Sequence, residues 1–230
     1  LLASVDMEMT SGIYAGDMLE AVEASPSLQK ALDAATKRVL MAKDRLGLFD
    51  APYAYHDQAR EAAVMLTPDH RTAARRVAER SMVLLRNDSG LLPLEAQPGR
   101  VAVIGSLTYE PGAGTRDAPD PAAIAKAVAA AEAADVVILV TGEDYNMSGE
   151  ARSRSDIGLP APQKALAEAI LATGKPVVTV VMTGRPLDIR PVDTDGSSIL
   201  LAWFPGIEAG PAITNVLFGD TVPAGRLPAS

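Results

Sequence analysis

The sequence predicts an α/β fold whose larger part is a doubly wound, mainly parallel sheet covered by helices, and three observations lead there. From Arg100 onward short apolar runs alternate with helical patterns, the arrangement that builds βαβ units. One of those runs, residues 135–141 (DVVILVT), is continuous and β-branched, as strands buried on both faces of a parallel sheet are. Of the 230 residues 48% are hydrophobic and 22% charged, a balance that supports a packed core and argues against disorder.

Taken in order, residues 1–5 read as a short strand with Asp6 to Met9 at its carboxyl end. A helix over 14–24 carries Met18, Leu19 and Val22 at helical spacing. A second helix over 26–46 carries Leu28, Leu32, Val39 and Leu40, with Ser25 as its cap before Pro26 and Gly47 closing it. Residues 49–70 mix prolines, tyrosines and charges around one short helical stretch, which makes them a connector and places a domain boundary there. A helix beginning at Arg71 is expected to run through Leu85, followed by a turn-rich stretch over 90–99. Strands are then expected over 100–107, 135–141, 176–182 and 198–202, and helices over 121–134, 161–173 and 208–218.

Charge and composition remove several classes of function. The formal net charge is -8 and no Lys/Arg block forms a stripe, so nucleic acid is excluded as a partner. No apolar run reaches the length of a membrane span, and no membrane partner is expected. The absence of cysteine excludes thiol catalysis and disulfides, and two isolated histidines form no metal cluster. The first sheet strand ends in Gly105, but the loop after it (SLTYEPGAGTRDAPD) lacks a GxGxxG entering a helix, which argues against a dinucleotide. No cofactor is expected. The chain opens on Leu1 and stops at GRLPAS, so it reads as an internal piece of a longer protein in which a signal peptide can be neither read nor excluded.

The stretch with the richest chemistry is 142–160, GEDYNMSGEARSRSDIGLP. It leaves the carboxyl end of the DVVILVT strand, the edge at which ligands of open α/β sheets gather. It is either a site or a solvated surface loop, since strand-to-helix loops are polar in both cases.

Several motifs occur in one order: ASVDMEM at 3–9, RVLMAKDRLGLFDAPY at 38–53, ARRVAERSMVLLRNDSGLLPL at 74–94, RVAVIG, SGEARSRSDIGLP, GKPVVTVVMTGRPLDI at 174–189, AWFPGIEAGPAITNVLFGD at 202–220, and PAGRLPAS. Together they cover nearly the whole chain, and in this order they resemble glycoside hydrolase family 3, the β-glucosidase and β-xylosidase family with a (β/α)8 barrel followed by an α/β sandwich. The resemblance implies three parts: residues 1–50 as the remnant of the barrel, 51–70 as an interdomain connector, and 71–230 as the sandwich domain. It also implies a β-linked oligosaccharide or glycoside as substrate, the N-terminal barrel of the same protein as the partner of this piece, and a periplasmic or secreted location.

The resemblance further implies a retaining exo-acting β-glycosidase, whose two carboxyl groups stand about 5–5.5 Å apart as nucleophile and acid/base. The family's nucleophile is an aspartate in a Ser-Asp-Trp type motif on the barrel, and this sequence contains no such motif. Its acid/base is a glutamate on the sandwich loop, which here is Glu150 of SGEARSR, with Glu143 as runner-up. An acid of this kind must hold its proton near neutral pH, which Arg152 and Arg154 would oppose. Their guanidiniums are therefore expected to be held elsewhere, by Asp156 or a barrel carboxylate, stapling the loop or touching the sugar.

Asp6 and Glu8 lie at the barrel mouth on this reading, as sugar contacts or as backbone caps, and Met7 and Met9 are packing residues or aglycone contacts. Trp203 and Phe204 either stack on sugar or pack within and between domains, while His56 and His70 are surface residues. Relatives carry a longer insertion after the first sandwich strand, and contacts from Thr115 or Arg116 would come from that loop. A noncatalytic carbohydrate-binding domain and a purely structural domain remain the alternatives to an enzyme.

Overall fold

The structure, a computed structural model, describes residues 1–105 and 118–228. The chain divides into two compact units, Leu1–Met65 and Leu66–Ser230.

The first unit is helical, with α1 (Ile13–Gly16), α2 (Met18–Glu23), α3 (Pro26–Arg45) and α4 (Gln58–Val64). The strand expected over 1–5 is instead a turn, closed by Ser4 N–H donating to the Leu1 carbonyl at 3.0 Å. A lone strand would leave its backbone groups unpaired, and no described strand of this unit pairs with it. The helix expected over 14–24 is broken at Asp17, which ends α1 and begins α2. Pro26 opens α3 as expected, but the Ser25 hydroxyl lies 2.9 Å from Ser27 Oγ and caps no backbone N–H. Gly47, at φ 69°, sits just beyond the end of α3 in the left-handed conformation that glycine adopts without strain.

The second unit carries α5 (Pro68–Ser81), β1 (Val83–Asn87), β2 (Val101–Ile104), α6 (Pro121–Ala133), β3 (Val136–Gly142), α7 (Ala161–Leu171), β4 (Val177–Met182), β5 (Ser198–Leu201), a 3-10 turn (Gly206–Glu208) and α8 (Ala209–Leu217). The five strands form one sheet in the order β1-β5-β4-β3-β2. β2, β3, β4 and β5 are parallel neighbours, while β1 pairs antiparallel with β5 at the edge. β1 corrects the sequence reading, which continued the preceding helix through Leu85. Helix α5 ends at Ser81, whose hydroxyl donates back to the Ala78 carbonyl at 2.8 Å. The following residues then pair with β5, Val83 opposite Leu201 and Asn87 opposite Ser198. A short apolar run such as MVLL suits either state locally, and the free edge of β5 decides it.

Alternation along the strands separates two cores. Val136, Ile138, Val178 and Val180 face one side and pack with Ala78 and Met82 near the end of α5 and with Ala212, Val216 and Leu217 of α8. Val137 and Leu139 face the other side and pack with Ala127 and Ala131 of α6 and Leu166, Ala167 and Ile170 of α7. Both faces of β3 are therefore dry, which is why its sequence shows no polar alternation. On the α5 and α8 side, Glu208 is fully buried. Arg75 Nε donates to its Oε2 at 2.9 Å and Arg71 Nη2 lies 2.7 Å from its Oε1, so the 3-10 turn is fixed to α5.

Candidate active site at the carboxyl edge of the sheet

Three parallel strands deliver the site. β3 ends at Gly142 and runs into Glu143, β4 ends at Met182 before Thr183 and Arg185, and β5 leads to Trp203 and Phe204. Gly142 stands at φ 135°, and a Cβ there would lie 1.9 Å from the Met182 carbonyl oxygen, so only glycine lets β3 and β4 run this close at their ends. Glu143 N–H then donates to that same carbonyl at 2.9 Å, which carries the pairing one residue into the loop.

The Glu143 side chain is fully shielded from solvent and serves as the hub of the loop. Arg154 Nη1 donates to Oε1 at 2.7 Å, and Thr183 Oγ1 donates to Oε2 at 2.8 Å. Arg185 Nε lies 3.1 Å from Oε1, an ion pair whose N–H is not aligned as a hydrogen bond. The Thr183 oxygen lies 2.9 Å from the Arg185 carbonyl as well, but its single proton goes to the stronger acceptor, the carboxylate.

From this hub the two arginines reach the loop backbone. Arg154 Nη2 donates to the Gly158 carbonyl at 2.9 Å. Arg185 Nη2 donates to the carbonyls of Met147 at 2.5 Å and Arg152 at 3.0 Å. Further along, Gly158 forms a parallel bridge with Asp188, and Asp188 N–H donates to the Ile157 carbonyl at 2.9 Å.

Against this frame the sequence candidates separate. Glu150 is exposed at the tip of the loop, between Gly149 at φ 143° and Ala151 at φ 56°. Among the described residues no hydrogen bond or ion pair engages its carboxylate. Arg154 is held by Glu143, and Asp156, one of the two partners expected for the arginines beside a barrel carboxylate, accepts from Gly158 N–H through Oδ1 at 2.7 Å. Arg152 is exposed and contributes its carbonyl to the frame.

Asp6 lies in the first unit, where Arg38 Nε and Nη2 each donate to it at 2.6 Å and hold its carboxyl below the usual carboxylate range. Glu8 accepts the backbone N–H groups of Ser11 and Gly12. Trp203, half-buried at φ 59°, packs on Val181, Ile199 and Leu201 beside a mainly apolar cavity of about 250 Å³, and Phe204 is exposed. Thr115 and Arg116 lie outside the described residues. Sequence reasoning missed Thr183 and Arg185. Their only sequence signal is position, two polar residues directly after an apolar strand, in the same relation to β4 that Glu143 has to β3.

Comparison with known proteins bears on this arrangement. Residues 82–230 match the family model described as the glycosyl hydrolase family 3 C-terminal domain. A β-xylosidase of Formosa agariphila is 34% identical, with 99% of this chain and 38% of the relative covered. A periplasmic β-glucosidase of Salmonella typhimurium is 35% identical, with 100% of this chain and 38% of the relative covered. The chain thus spans less than two-fifths of the length of these relatives. Both alignments, 275 and 289 positions long, exceed the 230 residues here, so the relatives carry residues between matched segments that this chain does not. Among solved structures, the β-glucosidase from Listeria innocua in complex with gluconolactone superposes with a TM-score of 0.77 at 31% identity, over 94% of this chain and 34% of its own. A β-glucosidase involved in saponin metabolism from intestinal bacteria superposes with a TM-score of 0.84 at 28% identity, over 99% of this chain and 41% of its own.

Proposed function

Because the chain belongs to glycosyl hydrolase family 3, we propose that the protein carrying it is a retaining, exo-acting β-glycosidase in which Glu150 is the general acid/base. In this reading residues 1–50 are the end of a (β/α)8 barrel, 51–70 the connector and 71–230 the α/β domain that carries the 142–160 loop. The nucleophile is an aspartate outside this chain. Its attack on the anomeric carbon expels the leaving oxygen as Glu150 gives that oxygen a proton, and Glu150 then takes a proton from the water that cleaves the glycosyl-enzyme.

One observation carries the assignment. Of the loop's carboxylates, Glu143 is buried in ion pairs and Asp156 accepts a backbone N–H, while Asp144 accepts from Asn146 N–H at 2.7 Å. Glu150 alone among them presents an exposed carboxylate that no described residue holds.

The remaining assignments are coarser. Arg154 staples the loop through Glu143 and Gly158, which leaves Arg152 as the cation of this stretch able to reach sugar. Asp6 is placed at the barrel mouth in this account. No described helix is long and apolar enough to cross a membrane, and the relative named for the periplasm supports a periplasmic or secreted location. The substrate is a β-linked glycoside, and the relatives named β-xylosidase and β-glucosidase support a xyloside or a glucoside.

The test uses the full-length protein and a series of aryl β-glycosides. Glu150→Ala is expected to lose about 10²- to 10⁴-fold in rate on poor leaving groups and far less, in the first step, on activated ones. An equal loss across the series contradicts the role.

A further inference from the structure

We propose that Arg185 is the residue that positions Glu150, acting as a clamp across the base of the loop. The inference rests on the reading of Glu150 as acid/base. Its own observation is that one nitrogen, Arg185 Nη2, donates both its hydrogens to carbonyls on either side of Glu150, three residues before it at Met147 and two after it at Arg152. The six-residue turn between those carbonyls is therefore tied across its base at a single point.

That point is itself fixed. The Arg185 side chain is only 20% exposed, its Nε is paired with the fully shielded Glu143, and its backbone N–H donates to Thr183 Oγ1 at 3.1 Å. Met147 N–H donates to the Asp144 carbonyl, and Arg152 N–H donates to the Gly149 carbonyl at 3.2 Å, closing a tight turn across Glu150. Ala151 is held at φ 56°, a conformation that an unrestrained alanine disfavours. The two charge-assisted bonds from Arg185 tie this turn, and the chain before it at Met147, to one point, and they set the height of Glu150 above the sheet edge.

Lysine cannot reproduce this clamp. Its ammonium is a point donor on a flexible stem, whereas the guanidinium reaches Glu143 through one nitrogen and the two carbonyls through another. Displacing an acid by about 1 Å costs on the order of 10²-fold. The cost falls on the proton transfer and leaves the nucleophile's reaction with activated substrates untouched.

The experiment uses the full-length protein, with Arg185→Lys, Arg185→Met, Glu150→Ala and the double variant Glu150→Ala/Arg185→Lys. The substrates are aryl β-glucosides or β-xylosides of graded leaving-group acidity, whichever the intact protein hydrolyses. The expected result is that Arg185→Lys lowers kcat/KM, which reports the first step, by about 10- to 100-fold on poor leaving groups and less than about threefold on dinitrophenyl glycosides. In the Glu150→Ala background the same change adds nothing, because there is no acid left to misplace. A uniform loss over all leaving groups, or full additivity with Glu150→Ala, overturns the proposal while leaving Glu150 in its role. Absence of any leaving-group dependence in Glu150→Ala overturns both. Should Arg185→Met not fold, Arg185→Lys carries the test alone.

Discussion

Two glutamates seven residues apart on one loop have opposite environments, and their variants should divide accordingly. Glu143 is the shared partner of Arg154 and Arg185, whose side chains are 16% and 20% exposed. Glu143→Ala leaves both cations facing a cavity, and because they keep some contact with water the expected loss is about 2–3 kcal/mol, near the low end for a broken buried pair. Glu150→Ala removes an exposed side chain with no described partner and should change stability by no more than about 0.5 kcal/mol. Urea unfolding of the two variants checks this, and equal midpoints would contradict the division of roles. The sequence placed both carboxylates on the site loop but could not rank them by environment. Burial of Glu143 depends on Thr183 and Arg185, which are forty residues away and arrive only because β3 and β4 are neighbours.

The close junction between the ends of β3 and β4 makes Gly142 the residue most sensitive to a single methyl group. Gly142→Ala would force a Cβ against the Met182 carbonyl in a backbone conformation foreign to L-residues. It should cost more stability than any alanine substitution within the exposed loop, as read from thermal unfolding. At the loop's far end, hydrogen bonds from the Arg190 side chain and then its backbone N–H pull the Asp188 carboxyl down to about 2. A lowered folded-state value means that this contribution is present above the ordinary carboxylate range and is lost as pH falls through about 2. In Arg190→Ala an NMR titration should find the carboxyl back near the ordinary aspartate range, and an unchanged midpoint would refute the cause. Among the elements, β3 was legible because a strand buried on both faces writes itself as an unbroken apolar run. β1 was not, since Val83 to Leu85 become a strand only through pairing with β5. The turn at residues 1–5 and the break at Asp17 likewise depend on backbone pairing that a periodicity of side chains does not encode.

The proposed reaction is divided between an acid on this chain and a nucleophile outside it. The 230 residues include no Ser-Asp-Trp motif, so the purified chain by itself is expected to release no nitrophenol from an aryl β-glucoside or β-xyloside. Steady release would place the nucleophile within it and overturn that division. The most direct test of the central claim is chemical rescue of Glu150→Ala in the full-length protein. Without its base the variant should accumulate glycosyl-enzyme from an activated aryl glycoside, because the first step needs little protonation and the second needs water deprotonated. Azide requires no deprotonation, so adding it should restore turnover and yield a β-glycosyl azide of retained configuration, whereas Glu143→Ala should show no such gain. Rescue of Glu143→Ala and not of Glu150→Ala, or an azide product of inverted configuration, would contradict the account.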